Sequence, residues 1–201
     1  MNNKDWKGNY NSVWKTLGAT NHCPEEREQN DYYATSPKAA ELLLEIEYLD
    51  KNVPIWECSA GGNHLADVFR ERGYKVRTSD IVKRTETTEQ LDFLSDGITE
   101  WDGNIVTNPP YKYAAEFVQK AIDIIPDGNK CIMFLKLQFM EGKQRRKLFD
   151  KYPPKTVWVS SSRLACAKNG DFGRYSQSAV AYAWFVWEKG YRGETTLKWF
   201  N

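Results

Sequence analysis

Four cysteines stand in this chain of 201 residues, and no two of them share a Cys-x-x-Cys spacing. Cys23, Cys58, Cys131 and Cys166 are far apart, which excludes both a disulfide framework and a zinc knuckle. Cys58 and Cys131 lie in apolar runs and read as small core residues. No apolar run approaches membrane-spanning length. The polar opening MNNKDWKGNY is not a signal peptide. Net charge is only +1, so no global field draws the chain toward nucleic acid or a membrane. Together these absences point to a reducing cytoplasm, with no metal site expected.

What the chain does have is material for one core. Hydrophobic residues make up 41% of it, which suits one compact domain. Residues 1–31 read as a polar arm carrying Trp6, Tyr10 and Trp14, and residues 32–201 as the domain. Ser36 suits a helix N-cap, Pro37 its first turn, and Ala40, Leu43 and Leu44 its apolar face. Strands are expected at 53–58, 74–80, 104–108, 130–139, 156–161 and 178–188. Leu65, Val68 and Phe69 mark one intervening helix, stopped by Gly73. Ala114, Phe117, Ala121 and Ile124 mark another, closed by Pro126 and Gly128. A basic helix precedes the strand at 156–161. This alternation implies an α/β domain with a mainly parallel sheet. No helix separates the last two strands, so they are expected to pair as an antiparallel end to that sheet.

In such sheets a ligand sits outside the carboxyl ends of the strands, and three segments fall there. Glu57-Cys58-Ser59-Ala60-Gly61-Gly62-Asn63-His64 follows a buried strand and opens a helix, the context in which backbone can approach a ligand. Asp80 ends the next strand, 23 residues after Glu57. A carboxylate there suits the two donors of a ribose diol, or else a helix N-cap. Asp92-Phe93 sets an acid beside an aromatic, suited to the amino edge and face of a purine, or simply to burial of the ring. The turn is not a GxGxxG and no phosphate-binding lysine follows it, so Walker-type nucleotide hydrolysis is unsupported.

The stretch Thr107-Asn108-Pro109-Pro110-Tyr111-Lys112 carries the chemistry. Proline cannot donate a backbone hydrogen bond, and it fixes its own φ. The Asn108 amide oxygen and the Pro109 carbonyl can therefore accept the two hydrogens of a planar amino group and free its lone pair for an electrophile. Tyr111 can stack on the ring that bears the amine. No strong base is needed, because the nitrogen can lose its proton after attack. Positioning supplies most of the catalysis. A plain strand-end turn is the other reading of the same residues.

Asn108-Pro109-Pro110-Tyr111 resembles the signature of amino-group methyltransferases that use S-adenosylmethionine, most often the N6-adenine DNA methyltransferases. Glu57, Ser59, Ala60, Gly61, Gly62 and Asn63 resemble that family's cofactor turn, with Asn63 where the family usually has a second glycine. The resemblance makes Asp80, followed by Ile81, the ribose-side position. It makes Asp92-Phe93 the adenine-contacting pair, and Thr35, Ser36 and Pro37 the segment that closes over the methionine part. His64, which follows the turn, reads either as a structural or surface residue, like His22, or as one that touches bound cofactor. The order of these motifs is similar to the gamma arrangement, and the whole resembles small methyltransferases of phages and prophages. It covers roughly 31–190. It implies a Rossmann-like class I fold, S-adenosylmethionine as cofactor, DNA as partner, and a bacterial or phage-infected cell.

From Lys143 to Arg174, nine basic residues face only Asp150 and Asp171, leaving +7. Beside the site, this segment (141–177) would contact phosphates through Lys143, Arg145, Arg146, Arg163, Lys168 and Arg174. As a solvated helix face and loop it would not. Phe172 is either a second stacking face for an extruded base or an anchor for its loop. RNA adenine, a protein glutamine amide and a non-catalytic nucleic-acid-binding relative remain alternatives to DNA adenine methylation.

Overall fold

A computed structural model describes residues 33–164, 166–168, 172 and 180–201. The arm at 1–31, with His22 and Cys23, lies outside the described residues, as does Arg174. The elements run β1 (Tyr33–Thr35), α1 (Pro37–Ile46), β2 (Ile55–Glu57), α2 (His64–Glu71), β3 (Val76–Asp80), β4 (Glu89–Gln90), β5 (Asn104–Thr107), α3 (Ala114–Ile124), β6 (Lys130–Lys136), α4 (Lys143–Lys151), β7 (Thr156–Ser160), β8 (Cys166–Lys168), β9 (Tyr182–Glu188) and β10 (Thr196–Phe200).

Eight strands form one sheet in the order β10-β7-β9-β6-β5-β2-β3-β4. The chain steps outward from β2 through β3 to β4, then returns to lay β5 on the other side of β2 and continues to β6. The order thus reverses between β2 and β5, which opens a crevice at their carboxyl ends. The pairings from β4 to β6 are all parallel. β9 is antiparallel to both β6 and β7.

Alternation along the central strands builds a layer on each face. Cys131, Met133 and Leu135 of β6, with Ala183, Phe185 and Trp187 of β9, pack under α3. Ile132 and Phe134, with Trp184 and Val186, pack under α1 and α2. The Phe134 ring lies parallel to Tyr182 at 5.1 Å and tilts against Trp184 at 4.8 Å. Among the described residues, no helix is long and apolar enough to cross a membrane.

Two expectations change. The antiparallel strand is not the end of the sheet. β9 is buried along nearly its whole length, and an apolar strand of that kind is best placed with a neighbour on each edge. β10 then continues the sheet beyond β7, pairing with it in parallel. Four of its five residues are exposed, so it carries no buried alternation to announce it. Nor does Ser36 cap α1 with its side chain; the N-cap position is held by backbone, with the Ala39 N–H donating to the Ser36 carbonyl. Outside the main sheet, β1 pairs antiparallel with β8, setting Thr35 opposite Cys166.

Phe134→Ala should lower unfolding free energy by about 3–5 kcal/mol in a denaturant titration, because it empties the space that Tyr182 and Trp184 share. A loss below about 1 kcal/mol would show that this layer can collapse around the gap.

Candidate active site

The site begins with a turn that two strands hold in place. After β2 the Ala60 N–H donates to the Ser79 carbonyl at 3.0 Å, and the Gly61 N–H donates to Asp80 Oδ2 at 2.8 Å. Gly61 has φ +52, a left-handed conformation that glycine adopts without steric cost. Asp80 Oδ1 accepts the Val82 N–H at 2.9 Å and lies 3.3 Å from Arg84 Nη1. The Asp80 carboxylate therefore orients the turn and is buried at the end of β3.

Asn63 is the one non-glycine residue with positive φ among those described, at +67. Such a conformation costs an L-residue roughly 1–2 kcal/mol, and asparagine tolerates it best. The side chain explains its presence. Its Nδ2 donates to Thr85 Oγ1 at 2.8 Å and Thr87 Oγ1 at 2.9 Å, and its Oδ1 accepts from Thr88 Oγ1 at 3.0 Å. One buried amide thus ties the turn to the loop after Asp80. A glycine at 63 would remove these three bonds, leaving the loop tied through Thr78 Oγ1, which donates to the Thr87 carbonyl at 3.1 Å.

At the tip of β5, Asn108 Nδ2 donates to the Tyr33 carbonyl at 3.1 Å and to Thr35 Oγ1 at 2.8 Å. Its Oδ1 is buried and has no partner. The Pro110 carbonyl accepts the Tyr113 N–H at 2.9 Å. The Pro109 carbonyl accepts no hydrogen bond among the described residues. Two adjacent acceptors are left without donors. Buried polar atoms are normally satisfied. Among the described residues, the buried side-chain polar atoms that are not belong to Glu57, Thr107 and Asn108. All three sit at the carboxyl ends of β2 and β5, where the strand order reverses.

Glu57 is 2% exposed, with Oε2 unpartnered. Burial pushes its carboxyl well above the usual range, with Asp80 and Asp67 adding to the rise; the Ala66 N–H and Arg70 oppose it. A buried carboxyl of this kind suits a cationic ligand. Burial also holds the Tyr111 phenol and the Cys166 thiol in their protonated forms. The Tyr111 hydroxyl donates to Cys166 Sγ at 3.6 Å, and the Lys136 ammonium lies 4.6 Å above the Tyr111 ring. His64, half-buried at the start of α2, has its pKa lowered by burial, which Asp67 opposes.

The structure brings together Thr35, Glu57, Gly61, Asn63, Asp80, Asn108 and Tyr111. Ser36 and Pro37 follow Thr35 into α1, and Ser59, Ala60 and Gly62 complete the turn. Ile81 is 56% exposed beside Asp80. Phe93 is in the core, edge-on to Trp56 at 5.3 Å and tilted against Phe117 at 5.0 Å, while Asp92 is exposed and accepts the Leu94 N–H at 2.9 Å. Phe172 stands edge-on to His64 at 5.3 Å, next to the turn rather than next to Tyr111. Lys143 and Arg146 are exposed on α4; Arg146 pairs with Asp150 at 3.5 Å. Arg163 is exposed just past β7. Lys168 ends β8, and its side chain lies outside the described residues. Sequence reasoning did not reach Tyr33, Cys166, Lys136 or the three threonines. Their roles depend on pairings such as Thr35 with Cys166, and a strand of three residues leaves no periodic signal.

No family model matches the chain, and no curated protein does. Solved structures do. Over 94% of this chain and 71% of its own length, a putative class I S-adenosylmethionine-dependent methyltransferase from Listeria monocytogenes superposes with a TM-score of 0.57 at 14% identity. A putative RNA methyltransferase from Pyrococcus horikoshii matches over 87% of this chain and 96% of its own, with a TM-score of 0.57 at 12% identity. A modification subunit of a putative type I restriction enzyme from Vibrio vulnificus matches 92% of this chain, TM-score 0.59, identity 11%. The match spans 49% of that subunit's length. At these identities the likeness establishes the fold, the Rossmann-like class I methyltransferase sheet.

Asn63→Ala should destabilise the protein by about 2 kcal/mol or more, since it keeps the positive φ and removes three hydrogen bonds from the threonine cluster. Asn63→Gly should cost less, because only the bonds are lost. Denaturant midpoints of the two variants check this ordering. For Glu57, the raised native pKa means that the folded state holds the proton more tightly than the unfolded chain. The stability this contributes is complete below about pH 4.3 and is lost as pH climbs from there through the raised value. Glu57→Gln carries no such proton. Its melting temperature, relative to the parent, should therefore rise between about pH 5 and about pH 8. A constant difference would mean that Glu57 titrates normally.

Proposed function

We propose that this chain is an S-adenosylmethionine-dependent methyltransferase acting on the N6 amino group of adenine in DNA. The observation that carries the reading is the pair of acceptors at Asn108 Oδ1 and the Pro109 carbonyl, on adjacent residues, without donors among the described residues, and at the crevice where the strand order reverses. An exocyclic amine offers two hydrogens to two such acceptors. Held there, its nitrogen is drawn out of conjugation with the ring and its lone pair is exposed. The amide cannot turn its oxygen away, because the Tyr33 carbonyl accepts only and so requires the Nδ2 side.

The cofactor fits the residues present. The unpartnered carboxyl of Glu57, the left-handed Gly61, Gly62, and Thr35 beside Asn108 would hold its methionine end, and Asp80 its ribose. Bound, S-adenosylmethionine supplies a methyl group activated by a positively charged sulfur. The protein's task is then positioning and exclusion of water, for which no strong base is required. Burial keeps Tyr111 a neutral phenol, so its ring offers a face to the base while its hydroxyl is tied to Cys166. Within a duplex the adenine must first be extruded.

The fold shared with the Listeria and Vibrio structures supports methyl transfer, and the Vibrio protein, a modification subunit of a putative type I restriction enzyme, supports a DNA substrate. The likeness to the Pyrococcus putative RNA methyltransferase favours a second reading, the same clamp applied to adenine in RNA.

Labelled methyl from S-adenosylmethionine, offered to duplex DNA, total RNA and cell protein, should appear as N6-methyladenine in DNA. Label confined to RNA or protein would overturn the substrate and keep the clamp. Asn108→Ala should cut turnover by about 100-fold or more with cofactor affinity little changed. Asp80→Ala should instead weaken the cofactor. Near-normal turnover in Asn108→Ala would sink the clamp.

A further inference from the structure

Lys136 ends β6 with its side chain partly buried, and its ammonium makes no hydrogen bond or ion pair among the described residues. Other partly enclosed lysines of the sheet differ. Lys130 meets Glu47 at 2.6 Å and Lys155 meets Glu188 at 2.7 Å. The Lys136 ammonium instead rests over the Tyr111 ring. Among the described residues its neighbours offer no negative charge: burial keeps both Cys166 and Tyr111 protonated.

A second cation faces the same space. The Arg145 guanidinium lies over the Phe139 ring at 4.9 Å and donates to the Gln138 carbonyl at 2.9 Å. These contacts fix its plane without neutralising it. Tyr111, Lys136, Gln138, Phe139 and Arg145 line a cavity of about 70 Å³, and no carboxylate lines it. Two cations without counter-ions among the described residues, around one small cavity, suit an oxyanion, to which guanidinium and ammonium both bind by charge-assisted hydrogen bonds.

We propose that Lys136 and Arg145 form a subsite for one backbone phosphate of the nucleic acid, beside the ring of Tyr111. The proposal rests on the adenine reading above. It also explains the position of Lys136 on that ring. In the free protein the ammonium holds the face on which the base is to stack. When the phosphate arrives, the ammonium leaves for it and the face is released. Base extrusion and phosphate capture are thereby linked through one side chain.

The test measures affinity for an adenine-containing duplex DNA across a salt series, together with methyl-transfer kinetics and cofactor affinity. Each phosphate contact contributes about 0.9 to the slope of log affinity against log salt. Lys136→Met should lower that slope by about 1 and raise KM for DNA several-fold, with cofactor affinity unchanged. Lys136→Arg should restore the slope, and Arg145→Met should lower it as Lys136→Met does. An active wild type whose slope and KM are the same in both methionine variants would overturn the subsite and leave the adenine reading standing. Lost cofactor binding in Lys136→Met would also overturn it, by showing a structural role. A wild type that methylates no DNA would remove the adenine reading and the subsite with it.

Discussion

The Asn108 amide is gripped from one side only, and much of the candidate site is arranged around that grip. Its two N–H bonds go to Tyr33 and Thr35 on β1. The Tyr33 carbonyl has no hydrogen to give, so the amide oxygen must face the other way and stay unsatisfied. β1 is too short to hold itself. It is kept in place by β8, which also delivers Cys166 to the hydroxyl of Tyr111. A two-stranded sheet outside the main one thus sets both the proposed clamp and the ring beside it. Position 108 is supported in turn by β5, a fully buried strand between β2 and β6.

The site is also where stability is given up. Glu57 is buried with an unpaired carboxyl oxygen, Asn63 is held left-handed, and Asn108 Oδ1 lacks a donor. Each is unfavourable by itself, and strain of this sort collects where a ligand is bound. The surroundings offset it. Asp80 fixes the glycine turn through Gly61, and the threonines of the next loop saturate Asn63. Two layers of aromatic packing, one on each face of β6 and β9, hold the sheet that carries these ends.

Charge is arranged by location. At the amino end of β6, Lys130 is closed off by Glu47 and the Tyr48 carbonyl. At its carboxyl end, Lys136 and Arg145 face a cavity with no carboxylate. The chain is nearly neutral as a whole, so these two cations matter by their place beside Tyr111 rather than through a global field.

The alternation of strands and helices, the turn at Glu57 to Asn63, the acid at Asp80 and the Asn108–Tyr111 tip were all legible in the sequence. Each is local: periodicity is carried by neighbours in the chain, and a turn or a proline acts on its own backbone. Which strands would be neighbours was not legible. β9 entered between β6 and β7, and exposed β10 was added at the edge, because burial of apolar faces is settled only when all strands compete for partners. The same holds for Tyr33, Cys166, Lys136 and the threonines that brace Asn63. Asn108 lies 75 positions from Tyr33, and Tyr111 lies 55 from Cys166. The residue types of the proposed clamp are local to the sequence, whereas the direction in which its oxygen points was decided by the fold, since only the fold supplies the acceptors on its other side.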